Sequence, residues 1–279
     1  MATTGTTKST VGQVQAVIES LWPLSGAEAW DAPGLLAGDP AAPVGSIHLA
    51  VDAVSDTVDE AVAGGADLLI THHPLLLRGV TSVAADSYKG SVLTRLIKAD
   101  CALLAAHTNA DVVETGTSAV IATALGLVDA RPVVPSAATP SRGIGRVGRL
   151  AEPTTLGTLA RLLAELLPAT ASGIRVSGEF DAPISTIALC GGAGDSLLAE
   201  PAVLAADVYI TSDLRHHPAS EARENAKVAG GPALIDVSHW ASEWLWLETA
   251  AAELRAALPE LTITVSELRT DPWDFTVVQ

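Results

Sequence analysis

Short, mostly apolar runs alternate along the chain with longer stretches in which apolar residues recur every three or four positions. Runs of roughly four to eight apolar residues are typical of buried strands, and the longer spacing is typical of helices with one buried face. The runs predict strands at residues 46–53, 66–71, 101–106, 145–150, 174–177, 184–190, 207–211, 233–237 and 261–266. The longer stretches predict helices at residues 10–21, 58–64, 91–98, 118–125, 155–166 and 238–258. This alternation predicts an α/β fold with a parallel sheet covered by helices on both faces.

The composition is typical of a globular protein, with 279 residues, 17% charged side chains and a mean hydropathy of +0.36. The net charge of −16 argues against a nucleic-acid partner, because binding to phosphate backbones normally requires a basic patch. Residues 1–8 are polar, and no apolar run approaches the roughly 18 residues of a membrane span. We therefore expect a cytoplasmic protein without membrane contact. Cys101 and Cys190 lie in or beside apolar runs, so we expect reduced thiols in the core.

Histidine and carboxylate side chains follow three of the predicted strands. They are His72 and His73 after residues 66–71, His107 and Asp111 after residues 101–106, and His239 and Glu243 after residues 233–237. Ligand sites in open α/β sheets form at the carboxyl ends of strands. If these three strands lie side by side, the sequence predicts a metal site at that edge.

The spacing of these residues favours two ions over one. Adjacent residues of a strand point to opposite faces, so His72 and His73 are expected to bind different ions unless the chain has already turned. His239 and Glu243 are four positions apart, which places them on one face of a helix capped by Ser238. A carboxylate such as Glu243 can then bridge the two ions, as a dinuclear hydrolytic centre requires.

The shared ligand chemistry also bears on the domain organisation. Pro132, Pro135 and Pro140 predict a crossover between domains at about residues 130–141. We expect the last segment of the chain to return to the first sheet, because β-α-β connections are right-handed and the ligands must meet. The sequence therefore predicts two α/β domains. They are a discontinuous metal-binding domain of residues 1–130 and 231–279, and a second domain of residues 131–230.

Several motifs resemble, in order, those of the NIF-three-like dinuclear metal-centre family, whose members often carry the label GTP cyclohydrolase I type 2 homolog. The motifs are Trp30-Asp31-Ala32-Pro33-Gly34-Leu35-Leu36, Thr71-His72-His73-Pro74, Ala106-His107-Thr108-Asn109-Ala110-Asp111, Cys190-Gly191-Gly192-Ala193-Gly194 and Asp236-Val237-Ser238-His239-Trp240-Ala241-Ser242-Glu243. The resemblance extends from about residue 14 to Thr270-Asp271-Pro272. The family's Thr-Gly-Asp and Gly-His motifs stand here as Thr211-Ser212-Asp213 and Ser238-His239, so loop shape is expected to differ while the ligands persist.

The resemblance implies a ligand set and an assembly. His73 and Asp111 would bind one divalent ion, His72 and His239 the other, and Glu243 would bridge both. Zinc, manganese and iron all suit this mixture of imidazole and carboxylate. The resemblance further implies a homohexamer and a metal-dependent hydrolase, similar to a GTP cyclohydrolase, that acts on a nucleotide or a related phosphate compound. The alternative is a non-catalytic metal-binding or regulatory oligomer that stores, senses or presents metal or binds a protein partner.

Four further features have two interpretations each. His107 is either a proton carrier or hydrogen-bond partner at the metal site, or a plain buried histidine. His216 and His217 form a polar rim that meets substrate or a neighbouring subunit, with metal binding the less favoured interpretation. The glycine-rich residues 191–196 form a tight connection or a phosphate loop. Core packing is expected for Trp240, Trp244 and Trp246, against a stacking role with a purine.

Overall fold

The structure is a computed structural model, and it describes residues 9–278. The polar stretch at residues 1–8 lies outside the described residues. The strands are β1 (Ser9–Thr10), β2 (Gly34–Ala37), β3 (Pro43–Val44), β4 (Ser46–Ala50), β5 (Leu68–Thr71), β6 (Ala102–Ala105), β7 (Leu127–Arg131), β8 (Val134–Pro135), β9 (Gly143–Ile144), β10 (Arg146–Thr155), β11 (Arg175–Ser177), β12 (Pro183–Ala193), β13 (Val208–Ser212), β14 (Ala233–Val237) and β15 (Thr262–Val265).

Ten α-helices accompany these strands within the described range. They are α1 (Val11–Leu21), α2 (Ser55–Ala63), α3 (Tyr88–Lys98), α4 (Thr108–Asp111), α5 (Thr117–Ala124), α6 (Leu156–Leu166), α7 (Pro201–Leu204), α8 (His216–Ala229), α9 (His239–Trp244) and α10 (Trp246–Ala257). Two short 3-10 helices occupy Leu24–Gly26 and Asp195–Leu197. The predicted α/β class is confirmed. None of the helices within residues 9–278 is long and apolar enough to cross a membrane.

The chain divides into two compact units. Unit 1 comprises Met1–Ala110 and Leu247–Thr270, and unit 2 comprises Asp111–Trp246 and Asp271–Gln279. Each unit is therefore built from two separate stretches of chain. The proline-containing residues 130–141 lie wholly inside unit 2, where they include β8, so they are not the crossover between the units.

Unit 1 contains a sheet of five strands in the order β15-β4-β5-β6-β2. The first four strands run parallel, and β2 pairs antiparallel with β6. All four residues of β5 and of β6 are buried, which explains why both strands read as continuous apolar runs. Thr71 at the end of β5 pairs with Ala105 at the end of β6, so the residues that follow these strands emerge side by side.

Unit 2 contains a sheet of six strands in the order β11-β14-β13-β12-β10-β7. β12, β13 and β14 run parallel in its centre, and β11, β10 and β7 pair antiparallel with their neighbours. Ala188 on β12 and Tyr209 on β13 are among the buried residues of its core. Unit 2 therefore has a parallel centre with antiparallel edges.

The expectation that residues 233–237 return to the first sheet is wrong. This strand, β14, pairs in parallel with β13 from Ala233 to Val237. The reason is α8, a 14-residue helix that is absent from the predicted helices. It connects β13 to β14 as the crossover of a local β-α-β unit. β15 does pair with β4 in the first sheet. Of the last two strands, β14 and β15, only β15 thus joins the first sheet as expected.

Local capping explains several element boundaries. Thr10 caps α1 by accepting from the backbone N–H of Gln13, whose side chain in turn accepts from the backbone N–H of Thr10. The single helix predicted at residues 238–258 is two helices, α9 and α10. They are separated by Leu245, which keeps helical dihedral angles of φ −57° and ψ −28°. The break therefore interrupts the helix by one residue.

Both cysteines are buried free thiols, as expected. Burial raises the pKa of the Cys101 thiol to about 11 and that of the Cys190 thiol to about 12. For Cys190, the nearby carboxylates of Asp111 and Glu243 add to this effect. Neither side chain is therefore a thiolate at neutral pH.

Candidate metal centre

Three histidines of unit 1 form a cluster, which we call the histidine cluster: His72, His73 and His107. One ring nitrogen of each lies within 4.8 Å of those of the other two. The ring centroids of His72 and His73 are 5.2 Å apart, and His107 lies 5.1 Å and 5.5 Å from them. β5 has ended at Thr71, so the alternation of a strand does not separate the first two rings. The chain has therefore already turned at His72 and His73, which is the exception that the sequence left open.

Each ring of the cluster is held through its Nδ1 atom. The acceptors are the Ala106 carbonyl oxygen for His72 (2.8 Å), Asp52 Oδ1 for His73 (2.7 Å) and Asp31 Oδ1 for His107 (2.7 Å). These acceptors require the proton of a neutral ring at Nδ1, so Nε2 carries the lone pair. Histidines that bind metals in proteins are usually oriented in this way.

The contacts of Asp31, the acceptor for His107, lower the pKa of its carboxyl group. Burial alone favours its neutral form, but hydrogen bonds from His107 and Thr108 outweigh burial and lower the pKa of Asp31 from 3.8 to about 2. Thr108 donates to it through both its backbone N–H and its hydroxyl. Trp30 also contacts the His107 ring edge-on, with centroids 5.8 Å apart. Asp31 is therefore an anion at neutral pH that fixes the His107 ring.

Unit 2 carries a second group on α9, the α9 pair of His239 and Glu243. Ser238 caps α9, so the two side chains one turn apart project from its first turns. His239 Nε2 lies 2.9 Å from Glu243 Oε1, and Glu243 has a side chain that is only 4% exposed. His239 Nδ1 lies 2.7 Å from Oδ2 of Asp213, a residue in the left-handed region at φ 58°. His239 is thus held at Nδ1 by an aspartate carboxylate, as His73 and His107 are in unit 1.

The charges around His239 determine its protonation. Burial alone lowers the pKa of this ring, but the carboxylates of Glu243 and Asp213 outweigh burial and raise it to about 11. Without a metal ion, His239 is therefore a cation held between two carboxylates. The two carboxylates favour a positive charge at this position, and a divalent ion held there would displace the ring proton.

Gly192 lies beside the α9 pair. A Cβ built on this residue would lie 2.5 Å from Glu243 Oε1 and 3.3 Å from His239 Nε2, and its φ of +71° favours glycine. Its backbone N–H donates to Ser242 Oγ at 2.9 Å. The glycine-rich loop therefore places no side chain against Glu243 Oε1 and His239 Nε2, the two atoms that could bind a metal. Because Gly192 faces a carboxylate, the loop fits a tight connection better than it fits a phosphate site.

Asp111 is the last residue of α4 and belongs to unit 2. Its Oδ1 accepts a hydrogen bond from the Thr117 hydroxyl at 2.5 Å. The segment after it is held by the buried Arg146, whose guanidinium donates to the Val113 carbonyl oxygen at 2.6 Å. Asp111 is thus placed on a fixed segment. Of the five predicted ligands, unit 1 contains His72 and His73, and unit 2 contains Asp111, His239 and Glu243.

Asp31 and Asp52 contribute to the candidate centre, although neither is among the predicted site residues. Asp52 follows the end of β4, the strand beside β5, so a search for carboxylates at neighbouring strand ends could have found it. Asp31 lies in a motif that carried the family resemblance but is far from His107 in sequence. Asp213 was named only as part of the Thr211-Ser212-Asp213 motif, and its carboxylate contacts His239.

The remaining candidates are the two histidines of α8 and the three tryptophans of α9 and α10. His216 and His217 are exposed at the start of α8, and their rings stack edge to face with centroids 5.2 Å apart. Trp240 and Trp246 are buried, which confirms the expected core packing for these two residues. Trp244 lies against Trp240, with ring centroids 6.1 Å apart.

The donor atoms fit a divalent transition metal. The histidine cluster offers imidazole nitrogens, and the α9 pair offers one imidazole and one carboxylate, a combination that suits zinc, manganese or iron. Space at Glu243 is maintained by a residue without a side chain. The fold and these groups define the chain as an α/β protein whose oriented histidines follow the ends of sheet strands.

Comparison with known proteins gives the family. Residues 9–272 match the model of the Duf34/NIF3 (NGG1p interacting factor 3) family, so the chain belongs to this family. A Streptomyces coelicolor protein named GTP cyclohydrolase 1 type 2 homolog is 48% identical, over 94% of this chain and 93% of its own length. A Mycobacterium tuberculosis protein of the same name is 33% identical, over 92% of this chain and 95% of its own length. The resemblance inferred from the motifs is confirmed.

Solved structures show the same fold. A Bacillus cereus protein related to NIF3 superposes with a TM-score of 0.87 at 22% identity, covering 96% of this chain and 99% of its own. A Staphylococcus aureus hypothetical protein superposes with a TM-score of 0.85 at 26% identity, covering 96% of this chain and 100% of its own.

Proposed function

We propose that the chain is a dinuclear divalent-metal protein that hydrolyses a nucleotide or a related phosphate compound. One observation carries the proposal: four histidines, His72, His73, His107 and His239, each have Nδ1 within 2.8 Å of a carboxylate or carbonyl oxygen. An acceptor at Nδ1 orients the ring and makes Nε2 the ligand atom. Four rings prepared in the same way support metal binding better than a structural role.

The proposed ligand assignment follows the family resemblance. His73 and Asp111 would hold one ion, His72 and His239 would hold the other, and Glu243 would serve both. Bound divalent ions lower the pKa of a water molecule and stabilise negative charge that develops on oxygen, which is the chemistry that hydrolysis needs. Glu243 suits the bridging role because it is buried and because residue 192 has no side chain that would crowd its Oε1.

We assign proton transfer to His107. Asp31 holds the Nδ1 proton of this ring at 2.7 Å, so Nε2 is the atom that can accept a proton from the attacking nucleophile. The same atom can then return the proton to the leaving group. Asp31 remains charged throughout because its pKa is about 2. The ring therefore keeps one tautomer during the reaction.

A nucleotide substrate is supported by the name GTP cyclohydrolase 1 type 2 homolog that several relatives carry. The chain itself has a net charge of −16, so an anionic substrate requires local positive charge to bind. Two divalent ions would supply four positive charges at the candidate centre. Metal binding and substrate binding are therefore expected to depend on each other.

The test is turnover of GTP and a panel of related phosphate compounds by metal-loaded protein. The His72→Ala variant is expected to lose turnover, and His216→Ala, which removes an exposed histidine of α8, is expected to keep it. A wild-type protein that holds two ions yet converts no compound of the panel would support the non-catalytic alternative, a metal-storing, metal-sensing or partner-binding oligomer. Equal turnover in both variants would refute the proposed site.

We also propose a homohexamer in the cytoplasm. The family resemblance supports the hexamer, and the buried free thiols of Cys101 and Cys190 suit a reducing compartment. Light scattering on the purified chain tests the assembly, since a hexamer has six times the 28.5 kDa mass of one chain. A monomer or dimer under the same conditions would contradict it.

A further inference from the structure

Thr270 and Asp271 end the motif resemblance and have no role in the proposed function so far. Thr270 belongs to unit 1 and Asp271 to unit 2. The Thr270 hydroxyl donates to Asp52 Oδ2 at 2.5 Å. The other oxygen of the same carboxylate, Oδ1, accepts from His73 Nδ1 at 2.7 Å. Thr270 therefore contacts the group that orients a proposed metal ligand.

Asp271 has a corresponding contact in unit 2. Its Oδ2 accepts a hydrogen bond from the Ser238 hydroxyl at 2.5 Å. The Ser238 oxygen in turn accepts from the backbone N–H of Ala241 at 3.2 Å, which caps α9. The backbone N–H of Trp273 donates to Asp271 Oδ1 at 3.1 Å and holds the carboxylate in place. Asp271 therefore contacts the cap of the helix that carries the α9 pair.

We propose that Thr270 and Asp271 are positioning residues for the metal ligands of their own units. Thr270 fixes the Asp52 carboxylate against His73. Asp271 fixes the Ser238 cap and with it the first turn of α9, from which His239 and Glu243 project. The inference rests on the proposed metal function, and its structural part concerns the orientation of these rings in the metal-free protein.

The two oxygens of a carboxylate move together, so a contact to one of them constrains the other. A carboxylate that rotates about its last bond exchanges its two oxygens and moves both by more than an ångström, so a donor on one oxygen fixes the other. Thr270 supplies that donor for Asp52. A serine cap has a single hydroxyl proton, which Ser238 donates in its hydrogen bond to Asp271. The lone pairs of Ser238 Oγ therefore point to the helix N–H groups. Both residues restrict a rotation that would otherwise misalign a ligand.

The test for Thr270 is titration of metal-free protein with Co²⁺, followed by visible absorption. Thr270→Val removes the hydroxyl at constant shape and is expected to raise the Kd for Co²⁺ about tenfold. Thr270→Ser keeps the hydroxyl and is expected to restore the Kd to within about threefold of wild type. Thr262→Val, an equivalent change at an exposed position of β15, is the control and should leave the Kd unchanged. An unchanged Kd in Thr270→Val, or no rescue by serine, would overturn the assignment.

The test for Asp271 follows the same design. Asp271→Ala removes the acceptor and is expected to raise the Kd for Co²⁺ about tenfold, whereas Asp271→Asn keeps an acceptor oxygen and should recover most of the affinity. Asp274→Ala, at an exposed position three residues further on, is the control. Equal losses in the alanine and asparagine variants of Asp271 would show that charge, and not positioning of the cap, is the cause.

A measurement without metal separates this inference from the proposed function. Long-range ¹⁵N NMR spectra of histidine-labelled, metal-free protein report which nitrogen of each ring carries the proton. In wild type we expect His73 protonated at Nδ1, and in Thr270→Val we expect a mixture of tautomers; Asp271→Ala should change the His239 signals instead. If wild type binds no Co²⁺, the proposed function fails and these spectra alone decide the inference. Unchanged spectra in both variants would overturn it.

Discussion

The backbone of Gly192 approaches Glu243 so closely that an added Cβ would lie 2.5 Å from Oε1 of that carboxylate. No rotation of a methyl group relieves this distance, so the carboxylate or the loop must move. Because Glu243 is buried, it has little room to do so. The absence of a side chain at position 192 is therefore a condition for the observed position of the proposed bridging ligand.

Gly192→Ala is expected to weaken metal binding at least tenfold, because the new methyl group displaces Glu243. The measurement is the Kd for Co²⁺ or Zn²⁺ by competition with a chelator of known affinity. Gly126→Ala is the matched control, since Gly126 has a φ of +68°, close to the +71° of Gly192, but open space where a Cβ would lie.

Both alanine variants share the cost of a left-handed residue, about 1–2 kcal/mol of stability. Only Gly192→Ala should lose metal. If the two variants bind metal equally well, the space beside Glu243 does not serve a metal site.

Asp213→Asn is expected to reduce metal affinity by about tenfold to a hundredfold, because the charged acceptor at His239 Nδ1 is lost while the shape is kept. Isothermal titration of metal-free protein measures the change. Asp129→Asn is a close control, since Asp129 also has a left-handed φ, 55° against 58°, but pairs with Arg149 at the surface. A similar affinity in Asp213→Asn and wild type would mean that the carboxylate does not orient the ring.

The sequence predicted the strand-end histidines because β5 and β6 are buried on both faces and therefore stand out as apolar runs. It could not predict which sheet β14 joins, since that choice depends on α8. None of the residues of α8 is buried, so the helix has no strong apolar face to reveal it. The α8 residues that pack against the core include the small side chains Ala219 and Ala222, which leave little signal in the pattern of apolar positions.

The histidine rings of the candidate centre show a second limit of prediction from sequence. Adjacent histidines in a strand point apart, but the chain bends directly after Thr71, and a one-residue difference in where a strand ends reverses such an argument. The partners of the rings are far away in sequence: Asp31 is 76 positions from His107. Such pairs form only in the tertiary structure, so the spacing of nearby residues in the sequence does not predict them.

Asp31→Asn is expected to destabilise the protein more at neutral pH than at low pH. The folded-state pKa of Asp31, about 2, lies below its ordinary value of 3.8, so the carboxylate contributes stability above about pH 4. That contribution is lost as the pH falls through about 2. Urea unfolding at pH 7, 4 and 2.5 should therefore show a difference between wild type and variant that shrinks in this order. A difference that is constant across these pH values would contradict the role of the Asp31 charge.

The most direct test of the dinuclear centre is the metal content of wild type and Glu243→Gln after both are loaded and passed through a desalting column. Mass spectrometry of the metals should find two ions per chain in wild type. It should find fewer than one in Glu243→Gln, because the amide is a much weaker ligand and cannot bridge two cations. Glu248→Gln, an exposed acid of α10 that pairs with Arg255, should keep two. Two tightly bound ions in Glu243→Gln would contradict the bridging role, and no bound ions in wild type would contradict the account as a whole.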